Sequence, residues 1–339
     1  MDDKEIWQLL DSSNLGGIET HVMELTSALC RKGLKTRIVF LKNHGEHPIL
    51  PLLREKQLPY KILKGSLIDL IREIVLRRPK LMHTHGYKAG IIGRFAGITT
   101  HIPVISTFHS GEPGIGKVRL YNQLDRKTAF LAREIIAVNA QIAAHLPDRT
   151  HVINNFVEVF GKSKKRVKNP AFVGRLSYEK GPDIFCKIAN LIPMERFTIY
   201  GDGPMKNELK NIYQTVEFAG QKISMSNHWQ EIGILCITSR HEGLPLAALE
   251  AMSHGIPVLA FAVGGLTTLI DEGRNGWTVE PGDIGEFAQK LKHWNKLNSI
   301  QIQKMSDNAI KTVKTRFSSQ AVIPEFIQLY ESTVSNKLT

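Results

Sequence analysis

The sequence is poor in the features that mark several large protein classes. It has three cysteines, Cys30, Cys186 and Cys236, in 339 residues. They form no metal-ligand spacing and each sits in an apolar pattern. A disulfide scaffold and a zinc module are thereby excluded, and reduced core thiols are expected. No apolar run reaches the roughly 18 residues of a membrane span before Gly, Arg or Pro breaks it. Met1 to Glu5 is acidic and lacks an apolar signal core. A cytoplasmic chain is expected, with peripheral placement on the inner face of a membrane as the second expectation. No metal constellation and no resident cofactor are read. The net charge is +12. Nucleic acid is not expected, because no stacking aromatics interleave with the basic residues. An anionic membrane surface, an anionic acceptor and a diphosphate donor fit that charge equally well.

What is present is a long alternation of strand and helix. Strands are expected near 6–10, 36–41, 59–63, 81–85, 103–108, 134–138 and 151–154. Helices lie between them, including one after Gly16-Gly17 with Val22, Leu25 and Leu29 on one face. The polar stretch 161–169 reads as a linker. A second series has strands near 171–175, 196–200, 216–219, 232–238, 256–261 and 277–279. Its helices are expected near 182–191, 205–213, 244–254 and 265–271, and three more close the chain. Such alternation implies α/β architecture with parallel sheets covered on both faces. Ligands then bind beyond the carboxyl ends of strands. Gly16-Gly17, His83, His85, His109 and Asn139 fall at those ends. Asn139 is expected to cap a loop. His83 and His85 alternate on one strand and are read as facing opposite sides, which argues against a shared metal.

The stretch 239–252 organises the second half. Glu242 sits at a strand-to-helix junction, and Glu250, seven intervening residues later, lies inside the helix. At about 1.5 Å per residue they are roughly 12 Å apart, the scale of a sugar joined through a diphosphate to a ribose. Gly243 opens the backbone, Pro245 suits the first helical turn, and free N–H groups there favour an anion. Arg175 and Lys180, with Gly174 and Gly181 beside them, have the makings of a diphosphate clamp. Residues 113–133 mix Lys117, Arg119, Arg126, Lys127 and Arg133 with Val118, Leu120, Tyr121, Leu124 and Phe130. That mixture suits a helix on an anionic bilayer, or one with its apolar face in the core.

The pair of glutamates in its Glu-Gly-x-Pro setting resembles the motif of the retaining GT-B glycosyltransferases of family 4. Gly174-Arg175-Leu176, Glu179-Lys180-Gly181, the Gly-Asp-Gly-Pro turn at 201–204, Gly264-Gly265 and 275–283 resemble it too. The resemblance implies two Rossmann-like domains facing a cleft. The acceptor domain would span 1–160, with the helix 318–339 returning to it, and the donor domain 169–317. It implies transfer of a hexosyl group to a cell-envelope glycan or glycolipid. A UDP-sugar is the first expectation for the donor and GDP-mannose the second. Donor contacts are carried to Gly16, Gly17, Arg175, Lys180, Gly220, Lys222, Glu242, Gly243, Leu244 and Glu250. Catalytic roles are carried to His109, Glu242, Arg175 and Lys180, with His85 as a secondary candidate and no metal. Asp202 is read as architectural. Thr268 stands where the family usually has Glu. An epimerase or phosphorylase of the same architecture, or a non-catalytic nucleotide-sugar binder, are the rival readings.

Overall fold

The chain, seen here as a computed structural model, is described over residues 4–109, 116–161, 167–192 and 196–335. It divides into two units, Met1–Asn155 with Val322–Thr339, and Phe156–Ala321. Part of the expected linker (162–166) and the start of the expected basic helix (113–115) lie outside the described residues.

The first unit is built on one parallel sheet. Its strands are β1 (Ile6–Leu10), β2 (Thr36–Phe40), β3 (Tyr60–Ile62), β4 (Leu81–His85), β5 (Val104–Phe108), β6 (Glu134–Ala137) and β7 (Thr150–Val152). Their order is β3-β2-β1-β4-β5-β6-β7. Strands β1, β4 and β5 are buried along their whole length, as expected where helices cover both faces. Register places Gln8 opposite His83, Leu10 opposite His85, and His85 opposite Thr107. The carboxyl ends of β1, β4 and β5 therefore lie side by side. Strand order reverses between β1 and β4, so the loops after them diverge and leave a crevice there.

The second unit repeats the plan with β8 (Pro170–Val173), β9 (Phe197–Tyr200), β10 (Val216–Gly220), β11 (Ile234–Ile237), β12 (Val258–Phe261) and β13 (Gly276–Val279). The order is β10-β9-β8-β11-β12-β13, all parallel, with the reversal between β8 and β11. Two apolar layers, one around Phe185, Phe261, Phe287 and Trp294 and one around Leu249, Met252, Val313 and Phe317, make its core. Each such side chain contributes about 1.5–3 kcal/mol on burial.

Two expected helices are corrected. The helix carrying Glu250 is Leu246–Ser253, with Pro245 as its N-cap in an extended conformation. Glu242 to Leu244 are therefore loop. The loop's course is set by the Gly264-Gly265 segment, since Gly265 N–H donates to Gly243 O at 2.6 Å. The basic segment is a shorter helix, Lys117–Lys127, followed by a separate turn at Ala129–Leu131.

Candidate functional site

In the second unit the loops after β8 and β11 meet at the strand reversal and are tied together. Gly181 has φ +67°, and a Cβ there would fall 2.1 Å from Thr238 O. Only glycine allows that approach. Thr238 Oγ1 donates to Gly181 O at 2.7 Å. Arg240 donates to both carboxylate oxygens of Asp183 at 3.0 and 2.8 Å, and lies 3.9 Å over the Tyr178 ring. Burial, the largest single influence, would raise the Asp183 pKa, but the Arg240 hydrogen bonds and charge, with a backbone hydrogen bond and Lys187, together outweigh it and the net shift is downward. Arg240 thus braces the site from outside.

Inside that brace Lys180 Nζ donates to Glu242 Oε1 and Oε2 at 2.9 and 2.8 Å. Ser239 Oγ donates to the same Oε1 at 2.6 Å. The Glu242 side chain is 6% exposed and that of Lys180 is 30% exposed. Glu242 is therefore a sunken, oriented acceptor, while the ammonium keeps contact with solvent. Arg175, at the turn after β8, is exposed and has no side-chain hydrogen bond or ion pair with a described residue. Gly201 and Gly203 press on this turn; a Cβ on Gly201 would sit 1.9 Å from Gly174 O. Asp202 pairs with Lys206 and its carbonyl accepts from Leu176 N–H, a structural job.

Gly220 is the last residue of the edge strand β10 and Lys222 follows it, with β9 between that strand and β8. Two strand spacings, about 10 Å, separate β10 from β8. Glu250 is half-buried in the second turn of its helix. The expectation of a helix N-terminus at Gly243 is corrected, because the first turn opens at Leu246. Thr268 is satisfied locally: its Oγ1 donates to Gly265 O at 2.9 Å.

In the first unit Gly16 is the N-cap of the helix Gly17–Arg31, and no side chain caps it. The free N–H groups of that turn favour an anion, and the Glu19 carboxylate already lies in it. Asn139 caps the helix Ala140–Ala143 by accepting from Ile142 N–H at 2.8 Å.

The histidines require a correction. His83 and His85 do not face opposite sides; their ring centroids are 4.2 Å apart. The strand period is two, so residues two apart share a face. His85 Nδ1 is 3.0 Å from His109 Nε2, and His85 Nε2 is 2.8 Å from Gln8 Oε1. His83 contacts the Tyr330 hydroxyl and Thr107 Oγ1, each at 2.6 Å. The His21 ring packs edge-on against His109, with centroids 5.0 Å apart. One ring nitrogen from each of His21, His85 and His109 lies within 4.8 Å of the other two. His83, the residue set against His85 in the sequence argument about a shared metal, is not one of these three. Burial pushes the His21 pKa down to about 4. His83, His85 and His109 are lowered by burial first and by neighbouring imidazoles second. All four are neutral near pH 7 and act as hydrogen-bonding groups.

Sequence reading passed over Gln8, His21, Tyr330, Ser239 and Arg240. Ser239 precedes Glu242 by three residues, a spacing that was open to notice. Tyr330 lies 322 residues from Gln8, so no local pattern reveals that pair.

Comparison with known proteins bears on the family and the fold. Residues 15–159 match the family model described as Glycosyltransferase Family 4, and residues 168–295 match that described as Glycosyl transferases group 1. A curated relative from Escherichia coli, UDP-Gal:alpha-D-GlcNAc-diphosphoundecaprenol alpha-1,3-galactosyltransferase, is 28% identical over 312 residues, covering 80% of each chain. The D-inositol 3-phosphate glycosyltransferase of Mycolicibacterium smegmatis is 23% identical, over 83% of this chain and 79% of its own. The crystal structure of Anabaena HepE in complex with UDP and glucose superposes with a TM-score of 0.84 at 19% identity. It covers 97% of this chain and all (100%) of that one. Sucrose-phosphate synthase from Thermosynechococcus elongatus gives a TM-score of 0.82 at 18% identity, over 98% of this chain and 100% of its own.

Proposed function

From the premise that the chain belongs to the family 4 glycosyltransferases and has the GT-B fold, we propose that it is a retaining hexosyltransferase. The donor is a nucleotide-diphospho-sugar, with a UDP-sugar first and GDP-mannose second. The acceptor is a cell-envelope glycan or glycolipid. The name of the Escherichia coli relative specifies a UDP-galactose donor and a diphosphoundecaprenol-linked acceptor, which favours a UDP-sugar and a lipid-linked acceptor here.

The observation that carries the reading is the Lys180–Glu242–Ser239 cluster, with the exposed Arg175 at the turn after β8. In the proposed reaction the bond from the sugar's anomeric carbon to the diphosphate breaks, and a bond to the acceptor oxygen forms on the same face. The acceptor's hydroxyl proton passes to the leaving diphosphate oxygen. No covalent nucleophile is named. Arg175 and Lys180 meet the charge growing on the diphosphate, a form of preorganised electrostatic stabilisation. Glu242 accepts from sugar hydroxyls, and Glu250 from the ribose hydroxyls. Gly243 and Leu244 lend backbone, Gly220 and Lys222 flank the base, Gly16 and Gly17 face the phosphates, and His109 acts on the transferred sugar. The cations take the place of a metal, so turnover is expected to survive a chelator.

The direct test is release of UDP from a panel of UDP-sugars in the presence of a polyprenyl-diphosphate sugar. Glu242→Ala should lower transfer by about 10²–10³-fold. Donor binding that survives Glu242→Ala, with no transfer by the wild type, favours a non-catalytic binder instead.

An anionic bilayer is the proposed surface on which the acceptor is met. Only Asp125 of the helix Lys117–Lys127 is buried, and it pairs with the fully buried Arg94 at 2.6 Å. Val118, Leu120, Tyr121 and Leu124 are exposed, as is Phe130 nearby at 64%. The apolar face is thus outside the core, contrary to the ordinary expectation for a packed helix, and cations flank it. No helix among the described residues is long and apolar enough to cross a membrane. Vesicles containing phosphatidylglycerol should retain the protein at low salt and release it at high salt. Equal recovery with neutral vesicles would remove the bilayer from the proposal.

A further inference from the structure

An unbroken run of hydrogen bonds in the first unit ends on His109. It passes from Thr107 to His83 (2.6 Å), to the Tyr330 hydroxyl (2.6 Å), to Gln8 (3.2 Å), to His85 (2.8 Å) and to His109 (3.0 Å). Gln8 sets its direction, because an amide oxygen only accepts and an amide nitrogen only donates. Gln8 Oε1 accepts from His85 Nε2–H, which leaves His85 Nδ1 as a lone pair. That lone pair accepts from His109 Nε2–H. On the other side Gln8 Nε2 donates to the Tyr330 oxygen. The phenol proton then goes to His83 Nδ1, and His83 Nε2–H donates to Thr107 Oγ1. Every ring in the run is a neutral Nε2–H tautomer.

We infer that Gln8 is a positioning residue which, through His85, holds His109 in the Nε2–H tautomer with Nδ1 offered as an acceptor to a sugar hydroxyl. Tyr330 and Gln8 are both buried, so the amide has no solvent to turn towards. The groups acting on His85 are imidazoles from each neighbouring element: His83 on its own strand, His109 after β5 and His21 on the helix Gly17–Arg31. No carboxylate or amine among the described residues acts on it. The identity of the acceptor's partner, a sugar hydroxyl, rests on the proposed function; the tautomer does not.

The tautomers can be read directly in the full chain labelled with 15N-histidine, from two-bond 1H–15N couplings at neutral pH. His85 and His109 are expected as Nε2–H. His109 found as Nδ1–H or as imidazolium overturns the inference, whether or not the chain is a transferase. Gln8→Leu removes the acceptor of His85 Nε2–H; His109 should become a tautomer mixture. Its kcat should fall about tenfold, as for one lost net hydrogen bond, with donor KM unchanged. Gln8→Glu sets a carboxylate against His85 and favours its protonated form. The acid limb of kcat should then move to higher pH. An equal loss at every pH, with the limb unmoved, means a structural role only and overturns the inference. So does activity lost to a chelator and restored by zinc, since the rings would then be ligands.

Discussion

The two units hold their candidate residues by opposite means. In the first, His21, His83 and His85 are sunk to zero or near-zero exposure, His109 beside them is half-buried, and burial keeps the imidazoles neutral. In the second, the polar groups are full charges, and at least one of each set stays in contact with water: Arg175 is exposed and Lys180 is 30% exposed. The difference follows from the cost of desolvation. An imidazole can shed its proton near pH 7 and be buried as an ordinary hydrogen-bonding group. An ammonium or a guanidinium cannot, so its burial must be partial or matched by a carboxylate. The buried pair Arg94–Asp125 shows the matched case, with the Arg94 side chain at 0% exposure. A neutral nest suits shaping a sugar's hydroxyls, and a half-solvated pair of cations suits a diphosphate.

The largest expected effect tests the charged region alone. Glu242→Ala should lower kcat/KM by about 10²–10³-fold, roughly 3–4 kcal/mol, while the histidine 15N spectrum stays as in the wild type. Loss within about threefold would take Glu242 out of the machinery. If the histidine signals moved as well, the two regions would not be independent.

Next comes acid, which should strike the neutral region. The unfolded chain takes up protons on ordinary imidazoles near pH 6.5, whereas folded His21 refuses one until about pH 4. Its folded pKa is the lower one, so stability is whole above about 6.5 and falls as pH drops towards 4. His21 alone should account for roughly 3 kcal/mol of that fall, and the other three histidines act in the same direction. Urea unfolding at pH 7 and at pH 5 measures it, about 2 kcal/mol of the His21 share falling in that interval. Equal midpoints would show that the nest takes up protons without loss.

A smaller effect separates binding from folding. Arg175 is exposed and has no hydrogen bond or ion pair with a described side chain, so Arg175→Ala should change stability by no more than about 0.5 kcal/mol. UDP binding by calorimetry should weaken about tenfold, or roughly 1.4 kcal/mol. The smallest is Lys180→Met, which strips Glu242 of its ammonium while Ser239 remains. With Lys180 in contact with solvent the stability loss should be about 1 kcal/mol, well below the 3–5 kcal/mol of a fully buried pair. A melting-curve loss of the larger size would place Lys180–Glu242 with Arg94–Asp125 and erase the contrast.

Much of this was legible in the order of residues. Apolar runs such as 234–237 and 258–261, punctuated by glycine, specify parallel strands and put loops at their carboxyl ends. Gly16-Gly17, Arg175, Lys180, Glu242 and His109 all lie in such loops. The helix start at 246 was not legible, because Pro245 is compatible with both an extended cap and a first turn. The choice was made by the backbone contact from Gly265 to Gly243. The exposed apolar face of Lys117–Lys127 was not legible either, since its pattern is the same whether or not a core lies beneath it.

The sequence by itself determined the alternation of elements, the parallel sheets and the loops in which chemistry is to be sought. These depend on periodicity and on local backbone preference, which act over a few residues. Only the tertiary structure decided that Tyr330 reaches Gln8 and His83, that His85 meets His109, and that Ser239 and Lys180 share one carboxylate of Glu242. Those contacts depend on strand order and register, which are set by how whole elements bury their apolar faces against one another.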